Sequence, residues 1–363
     1  MTYTIDYEAV VVGAGPGGLT FLAALLDSGI RNVAWIDPTF SGGRLNTNYR
    51  EISSKIIRAI PSPNAIDKLE KIDREKTCQL SLAGDMLHLL SEGFAKLPGV
   101  KTLKSDVCSA NYTDSRWNIR LSDKTDITST RMFLCTGSHP IHADFHSAYN
   151  PDLSVLDLDQ VLLKSQLPTL LPPSSSRYRI AVIGASHSGI LVCWNLYQYQ
   201  QAHDLDLEIY NFQRSPIRYA EYREDGIVYD NTGLKGDTAD WAKGNLEPKG
   251  NGRTKQIHQV DIKENAEQAY QKYLPDCSHV IYAIGYTPNT YPEISIEGNR
   301  VDDRLEFDHS TAGFNVDGKK VEGLWGGGIA HPEVKKDPEG HVEAAVGVAK
   351  FFAFAERVKD SWV

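Results

Sequence analysis

Two stretches of this chain repeat one uncommon arrangement, a continuous apolar strand that breaks into glycines and restarts at once as an apolar helix. The first reads Ala9-Val-Val-Val-Gly-Ala-Gly-Pro-Gly-Gly-Leu-Thr-Phe and embeds Gly13-x-Gly15-x-x-Gly18. The second reads Tyr178-Arg-Ile-Ala-Val-Ile-Gly-Ala-Ser-His-Ser-Gly-Ile and embeds Gly184-x-Ser186-x-x-Gly189. In such a turn the first glycine permits a tight bend, the second lets the backbone approach a pyrophosphate, and the third lets the helix pack closely on the strand. The helix N-terminus then presents unpaired N–H groups and a partial positive charge to phosphates. Two copies commit the chain to an α/β architecture.

The ribose ends of the two units differ. After the first, the apolar run Asn32-Val-Ala-Trp-Ile ends in Asp37, followed by Pro38. An acid about 20 residues beyond the glycines accepts hydrogen bonds from ribose hydroxyls, as suits an adenosine without a 2′-phosphate. In the second unit Ser186 replaces the middle glycine and sets a hydroxyl beside the phosphates. The strand that follows, Leu205–Phe212, runs into Arg214 and Ser215, a pair suited to a 2′-phosphate, so NADPH is expected there. Arg218 lies near enough to assist, or is a solvated surface charge.

Two nucleotide folds in one chain imply that one is inserted in the other. Crossing points are offered by Arg131-Met-Phe-Leu-Cys-Thr136-Gly137 and His279-Val-Ile-Tyr-Ala-Ile284-Gly285-Tyr286, both strands that end in a glycine turn. Residues of about 100–130 alternate in short runs and read as a small antiparallel β-meander. The expected organisation is therefore one domain over 1–140 and 281–363, carrying the meander, and a second over 141–280.

With 363 residues and a 41% hydrophobic share, the chain has enough material for two packed cores. A net charge of −9 argues against nucleic acid and anionic membranes as partners. No basic leader precedes the first apolar run, and no run reaches the roughly 18 apolar residues of a membrane span, so a cytoplasmic protein without membrane insertion is expected. Five cysteines stand no closer than 27 positions apart (Cys108 and Cys135), which excludes a CxxC redox or zinc site. His139, His142, His146 and Asp144 have a spacing that could suggest a metal, but Pro140 and their place directly after a strand favour a connecting loop, and no metal is expected. Nothing here specifies an oligomeric state.

On these motifs the chain resembles the two-dinucleotide-binding flavoprotein superfamily over essentially its whole length. The resemblance implies an FAD-binding Rossmann-like domain with an inserted NAD(P)H-binding Rossmann-like domain. Thr136-Gly137 and Ile284-Gly285-Tyr286 match its ATG-type segments, and the serine-bearing second fingerprint with Gly285-Tyr286 is similar to flavin-containing and N-hydroxylating monooxygenases. Gly323-Leu-Trp-Gly-Gly-Gly-Ile-Ala-His resembles the last FAD-binding strand, with Ile329 where disulfide reductases usually carry an aspartate, followed by a helix near Val342–Val358 aimed at the flavin. The cofactor-contact residues it implies are Gly13, Gly15, Pro16, Gly17, Gly18, Asp37, Pro38, Arg44, Val107, Thr136, Gly137, Gly328 and His331, together with Gly184, Ser186, His187, Ser188, Gly189, Arg214, Ser215, Ile284 and Gly285.

Few catalytic side chains are expected, because the flavin ring itself carries the chemistry. Arg44 and Asn48, in the polar loop after Asp37, could face the flavin, and His187 could reach the nicotinamide nucleotide or the flavin face. Tyr210, Phe212, Tyr219, Tyr222 and Tyr229 read as packing rather than as a substrate wall. The segment 229–247 matches no motif, except that Asp237 could cap a helix carrying Ala239, Trp241 and Ala242. The leading expectation is an FAD-dependent NADPH monooxygenase that oxygenates a small N or S nucleophile through a flavin C4a-hydroperoxide. Alternatives are a reductase passing electrons directly to a small acceptor, and a non-catalytic sensor binding both cofactors.

Overall fold

A computed structural model of the chain describes residues 5–54, 78–173, 177–250 and 254–362. The strands Ala9–Val12 and Val33–Ile36 are buried at every position, as central parallel strands covered on both faces must be. They lie in a seven-stranded sheet ordered Leu305–Phe307, Gly313–Val316, Lys319–Gly326, Met132–Leu134, Ala9–Val12, Val33–Ile36 and Val100–Leu103. All pairings from Lys319–Gly326 to Val100–Leu103 are parallel.

Helix Pro16–Asp27 covers one face and packs against the C-terminal helix Val348–Val358. Between them lies an aromatic cluster in which Phe21 stacks on Trp362 (ring centroids 5.2 Å apart) and Phe133 on Trp325 (5.1 Å). Gly327 is required here, because a Cβ at that position would enter the Phe21 ring.

A five-stranded, wholly parallel sheet is ordered Ser154–Val155, His279–Tyr282, Tyr178–Ile183, Leu207–Gln213 and Ile257–Asp261. Its residues fall between Met132–Leu134 and Lys319–Gly326, two adjacent strands of the larger sheet. The chain leaves and returns through a short antiparallel ladder, Ser138–Pro140 against Tyr286–Pro288. Helix His187–His203 seals one face of the smaller sheet.

The meander comprises Val107–Thr113, Arg116–Leu121 and Asp126–Ser129. It is extended by Ile5–Tyr7 at one edge and by Glu293–Ile296 with Asn299–Arg300 at the other, so its sheet has six strands. The strand Arg116–Leu121 alternates buried and exposed from Trp117 onward, as a sheet wet on one face should.

Two local expectations need correction. The C-terminal helix begins at Val348, not near Val342, because Val342–Ala345 pairs with Glu333–Lys336 as a hairpin and Gly347 at φ 143° turns the chain into the helix. Asp237 is not a cap: the helix is Gly236–Asn245, its N-cap is Lys235, and Asp237 lies in the first turn. No helix among the described residues is long and apolar enough to cross a membrane.

Candidate active site

The two glycine turns are built alike, and each glycine's task can be read from what a side chain would strike. A Cβ on Gly13 would collide with the Cys135 carbonyl, and one on Gly184 with the equivalent Ala283 carbonyl; both glycines have positive φ. Likewise a Cβ on Gly18 would hit the Gly13 carbonyl, and one on Gly189 the Gly184 carbonyl. A Cβ on Gly17 would stand 2.6 Å from the Gly328 Cα, which explains the pair of glycines where the last strand passes the helix. Gly15 is different. Its Cβ would meet only the Gly43 Cα, at 3.7 Å, and its backbone (φ −79°, ψ −174°) matches that of Ser186 (φ −86°, ψ −170°). Any L-residue can adopt that conformation, so serine is allowed in the second turn, and glycine in the first keeps open space over the helix N-terminus.

A cavity of about 620 Å³ opens beside the first turn, lined in part by Gly13, Asp37, Pro38, Arg44, Val107 and Thr136. Two features fit an FAD. The Thr136 Oγ1 is buried on this wall without a partner, and a buried hydroxyl is rarely left so. The Asp37 carboxylate accepts at Oδ1 from the Thr39 and Phe40 amides (2.8 and 2.7 Å) and from the Thr39 hydroxyl, but at Oδ2 only from the Ala14 amide (2.8 Å). One lone pair of Oδ2 therefore stays available, and the same carboxylate also organises its own loop. Pro16, Gly17, Gly18, Gly137 and Gly328 shape the turn and crossing without lining the cavity.

His331 lies behind this wall. It is 1% exposed, with Nδ1 3.1 Å from the Leu134 carbonyl and Nε2 2.9 Å from the hydroxyl of Tyr291, which lines the cavity. Burial lowers its pKa to about 4, so it is neutral at pH 7. A carbonyl can only accept, so the proton sits on Nδ1 and Tyr291 donates to Nε2. His331 thus braces Tyr291 rather than facing the cavity.

Beside the second turn a cavity of about 670 Å³ is lined by Gly184, Ser186, Arg214, Ser215, Ile284 and Gly285, and also by Arg218 and Thr232. Arg218 is no isolated surface charge, since its guanidinium stands 5.4 Å over the Tyr229 ring. The amides of Gly13 and Gly184 bond to the Ile36 and Phe212 carbonyls respectively, which aligns the two folds residue for residue. In that alignment the counterpart of Asp37 is Gln213, whose Oε1 is buried without a partner. A neutral amide replaces the acid, and two arginines follow it.

Arg44 and Asn48 do not stand free. Both bond to Asp159, 4% exposed on the short helix Leu158–Leu162: Arg44 as an ion pair, Asn48 through Nδ2 at 2.9 Å, joined by the Tyr49 hydroxyl at 2.9 Å. Tyr49 also meets Tyr286 edge-on, ring centroids 6.5 Å apart. Burial, with Tyr49 alongside, pushes the Tyr286 phenol up, while a hydrogen bond to Ser188 opposes the rise; Tyr286 stays protonated at neutral pH.

His187 occupies the first turn of its helix, and burial followed by the Lys235 charge lowers its pKa, leaving a neutral imidazole. The uninterpreted segment becomes an interface. The Tyr229 amide donates to Asp337 (3.0 Å), its hydroxyl meets His341 (3.1 Å), and Asn231 and Thr232 donate to Glu343. Asp230 pairs with Lys235 and Lys350. The histidine run after the first crossing is only partly a loop: His139 lies in the ladder strand Ser138–Pro140 and bonds to Asn289, while His146 lies in the 3-10 turn Phe145–Ala148 and bonds to Tyr282 (both 2.8 Å). Of the aromatic residues, Tyr210 stacks on His258 and Phe212 is fully buried.

Sequence reasoning overlooked Asp159, Tyr49, Gln213, Glu343 and Asn289. Asn289 was within reach, because it closes the Gly285-Tyr-Thr-Pro-Asn segment; its amide holds the Thr136 carbonyl at 2.7 Å. Asp159 and Glu343 sit in stretches with no motif.

Two dinucleotide cradles, one inserted into the other, with a cavity before each, define a flavin-dependent oxidoreductase of the two-dinucleotide-binding class, using FAD and a nicotinamide nucleotide. The chain belongs to the pyridine nucleotide-disulphide oxidoreductase family, which matches residues 7–311. It is 38% identical over 391 residues to the monooxygenase AgnR1 of Paecilomyces divaricatus, covering 98% of this chain and 97% of that protein. Among solved structures it resembles a flavin monooxygenase variant from Stenotrophomonas maltophilia (14% identity, TM-score 0.66, 99% and 98% of the two chains). It also resembles the bacillithiol disulfide reductase of Staphylococcus aureus (11%, 0.60, 99% and 98%). At these identities the structural likeness shows the fold alone.

Proposed function

We propose that this protein is an NADPH-dependent FAD monooxygenase that oxygenates a small molecule at a nucleophilic nitrogen or sulfur. The observation that carries the reading is the 38% identity to a monooxygenase across nearly the full length of both chains. The absence of any CxxC in the sequence supports it against a disulfide reductase. We assign FAD to 1–140 with 281–363 and NADPH to 141–280. Cys108, Cys135, Cys193 and Cys277 are free, and all but Cys108 are buried, which suits a reducing, cytoplasmic setting.

Bound FAD would accept hydride from NADPH and pass two electrons to O2, with one oxygen atom entering the substrate and the other leaving as water. The chain's own residues bind, orient and hold protons. Helices Pro16–Asp27 and His187–His203 present their N-termini to the two pyrophosphates. Thr136 Oγ1 and Asp37 Oδ2 supply a hydroxyl and an acceptor to the first nucleotide. Arg214 and Arg218 meet the 2′-phosphate of the second, where Gln213 spares it the repulsion an acid would bring. Neutral His187 and protonated Tyr286 offer hydrogen bonds at the junction without adding charge.

The test is anaerobic titration of the purified flavoprotein with NADPH and with NADH, followed by oxygen and a panel of amines and sulfides. Oxygenated product with little H2O2 is expected. Stoichiometric H2O2 with every compound would favour a reductase, and no flavin reduction by either nucleotide would leave only a sensor.

A further inference from the structure

Two buried carboxylates stand where the inserted sheet unit meets the rest of the chain, and each is held by groups from across the boundary. Asp159, in the inserted unit, accepts from Arg44, Asn48 and Tyr49 of the first unit. Glu343, in the hairpin Glu333–Lys336 and Val342–Ala345 of the first unit, is 5% exposed and accepts from the inserted unit. Its donors are the amides of Asn231 and Thr232 at 3.0 and 3.2 Å, the Asn231 side chain at 3.4 Å and the Thr232 hydroxyl.

The arrangement is reciprocal at the cavities as well. Arg44, gripped by the inserted unit's acid, lines the cavity of the first unit. Thr232, gripped by the first unit's acid, lines the cavity of the inserted unit. A buried carboxylate stripped of its donors is strongly unfavourable. Turning one unit against the other would strip both acids together.

We propose that Asp159 and Glu343 are reciprocal positioning residues, each holding a wall residue of the other unit's cofactor cavity and together fixing the two cavities in one juxtaposition. The inference rests on the reading above, in which the first cavity takes FAD and the second a nicotinamide nucleotide. Neither acid touches the reacting atoms; Asp159 acts through Arg44 and Glu343 through Thr232.

The test uses the full-length flavoprotein with Asp159→Asn and Glu343→Gln. A crossed pattern is expected. D159N weakens FAD retention by about tenfold, the scale of one lost charge-assisted hydrogen bond, with the NADPH dissociation constant little changed. E343Q raises that dissociation constant by about tenfold, read from the flavin absorbance change, with the flavin-to-protein ratio unchanged. Hydrogen exchange reads the clamps without any cofactor: D159N speeds exchange at 44–49, and E343Q at 229–232. Should D159N fail to fold, Tyr49→Phe removes one donor and gives the same effects at about threefold. Thr232→Val made in the E343Q background adds less than it does in wild type, because both act through one contact.

Exchange unchanged across the boundary, or each variant disturbing only its own unit's cavity, overturns the proposal. A wild-type protein that neither nucleotide reduces overturns the functional reading instead, and the exchange data still decide the clamps.

Discussion

Replacing Arg214 with alanine probes the chemistry that separates the second cavity from the first. Arg214 is exposed on the cavity wall, so solvent screens its charge. A hydrogen bond to a charged group contributes about 1.5–3 kcal/mol, and exposure selects the lower end, close to a tenfold effect on NADPH binding. NADH carries no 2′-phosphate and should bind as before, so the NADPH-to-NADH ratio falls about tenfold. Arg218 lines the same cavity and retains part of the preference, so R214A/R218A should fall further, to between ten- and hundredfold, the two arginines sharing one phosphate and therefore not adding independently. The assay is anaerobic stopped-flow reduction of the bound flavin at varied NADPH and NADH. The apparent dissociation constant should move while the limiting rate stays, and added salt should shrink the wild-type preference far more than that of the double variant. An unchanged ratio in R214A, or equal losses with both nucleotides, would refute the assignment.

Gly189→Ala drives a Cβ into the Gly184 carbonyl and should abolish nicotinamide nucleotide binding while the flavin-to-protein ratio holds; an alanine variant that still binds NADPH normally contradicts the role given to this turn. Thr136→Val removes a hydroxyl that has no partner in the protein, so thermal stability without cofactor should change by less than about 1 kcal/mol while FAD dissociates about tenfold more readily. If apo stability drops and FAD affinity does not, Thr136 is structural. His331 predicts an acid limit. Its folded pKa of about 4 lies below the ordinary 6.5, so its contribution is complete above pH 6.5 and is lost as pH falls from 6.5 to 4, by about 3 kcal/mol in all. Chemical denaturation across that range should show a steeper acid loss in wild type than in His331→Gln; parallel curves would show that the imidazole does not titrate as argued. Trp362→Ala empties a site stacked on Phe21 and edge-on to Phe133 and should cost about 3–5 kcal/mol by denaturant unfolding, a loss under 1 kcal/mol being incompatible with that packing.

The fold was legible because its determinants are local. Apolar runs at Ala9–Val12 and Tyr178–Ile183, each broken by a glycine that needs positive φ, dictate strand, turn and helix within a span of about 20 residues. The segments at Thr136-Gly137 and Ile284-Gly285 marked the crossing, and the structure adds the ladder that joins them. The C-terminal helix was misplaced at its start because Val342-Glu-Ala-Ala suits helix or strand on local preference alone. Its partner Glu333–Lys336 decided the matter, and no local pattern announces that pairing.

By itself, the sequence determined that two nucleotide cradles exist and that their ribose ends differ in charge, since each depends on residues within one strand–turn–helix unit. Only the tertiary structure decided what the loops do. Arg44 and Asn48 are expected near the flavin because their stretch is polar and follows Asp37; Arg44 lines the first cavity, but the partner that holds both, Asp159, is more than a hundred residues away. Thr232 and Glu343, too, meet only once both units are folded. A buried carboxylate takes its character from whichever donors the fold delivers, and contacts at that separation in sequence carry no periodicity to read.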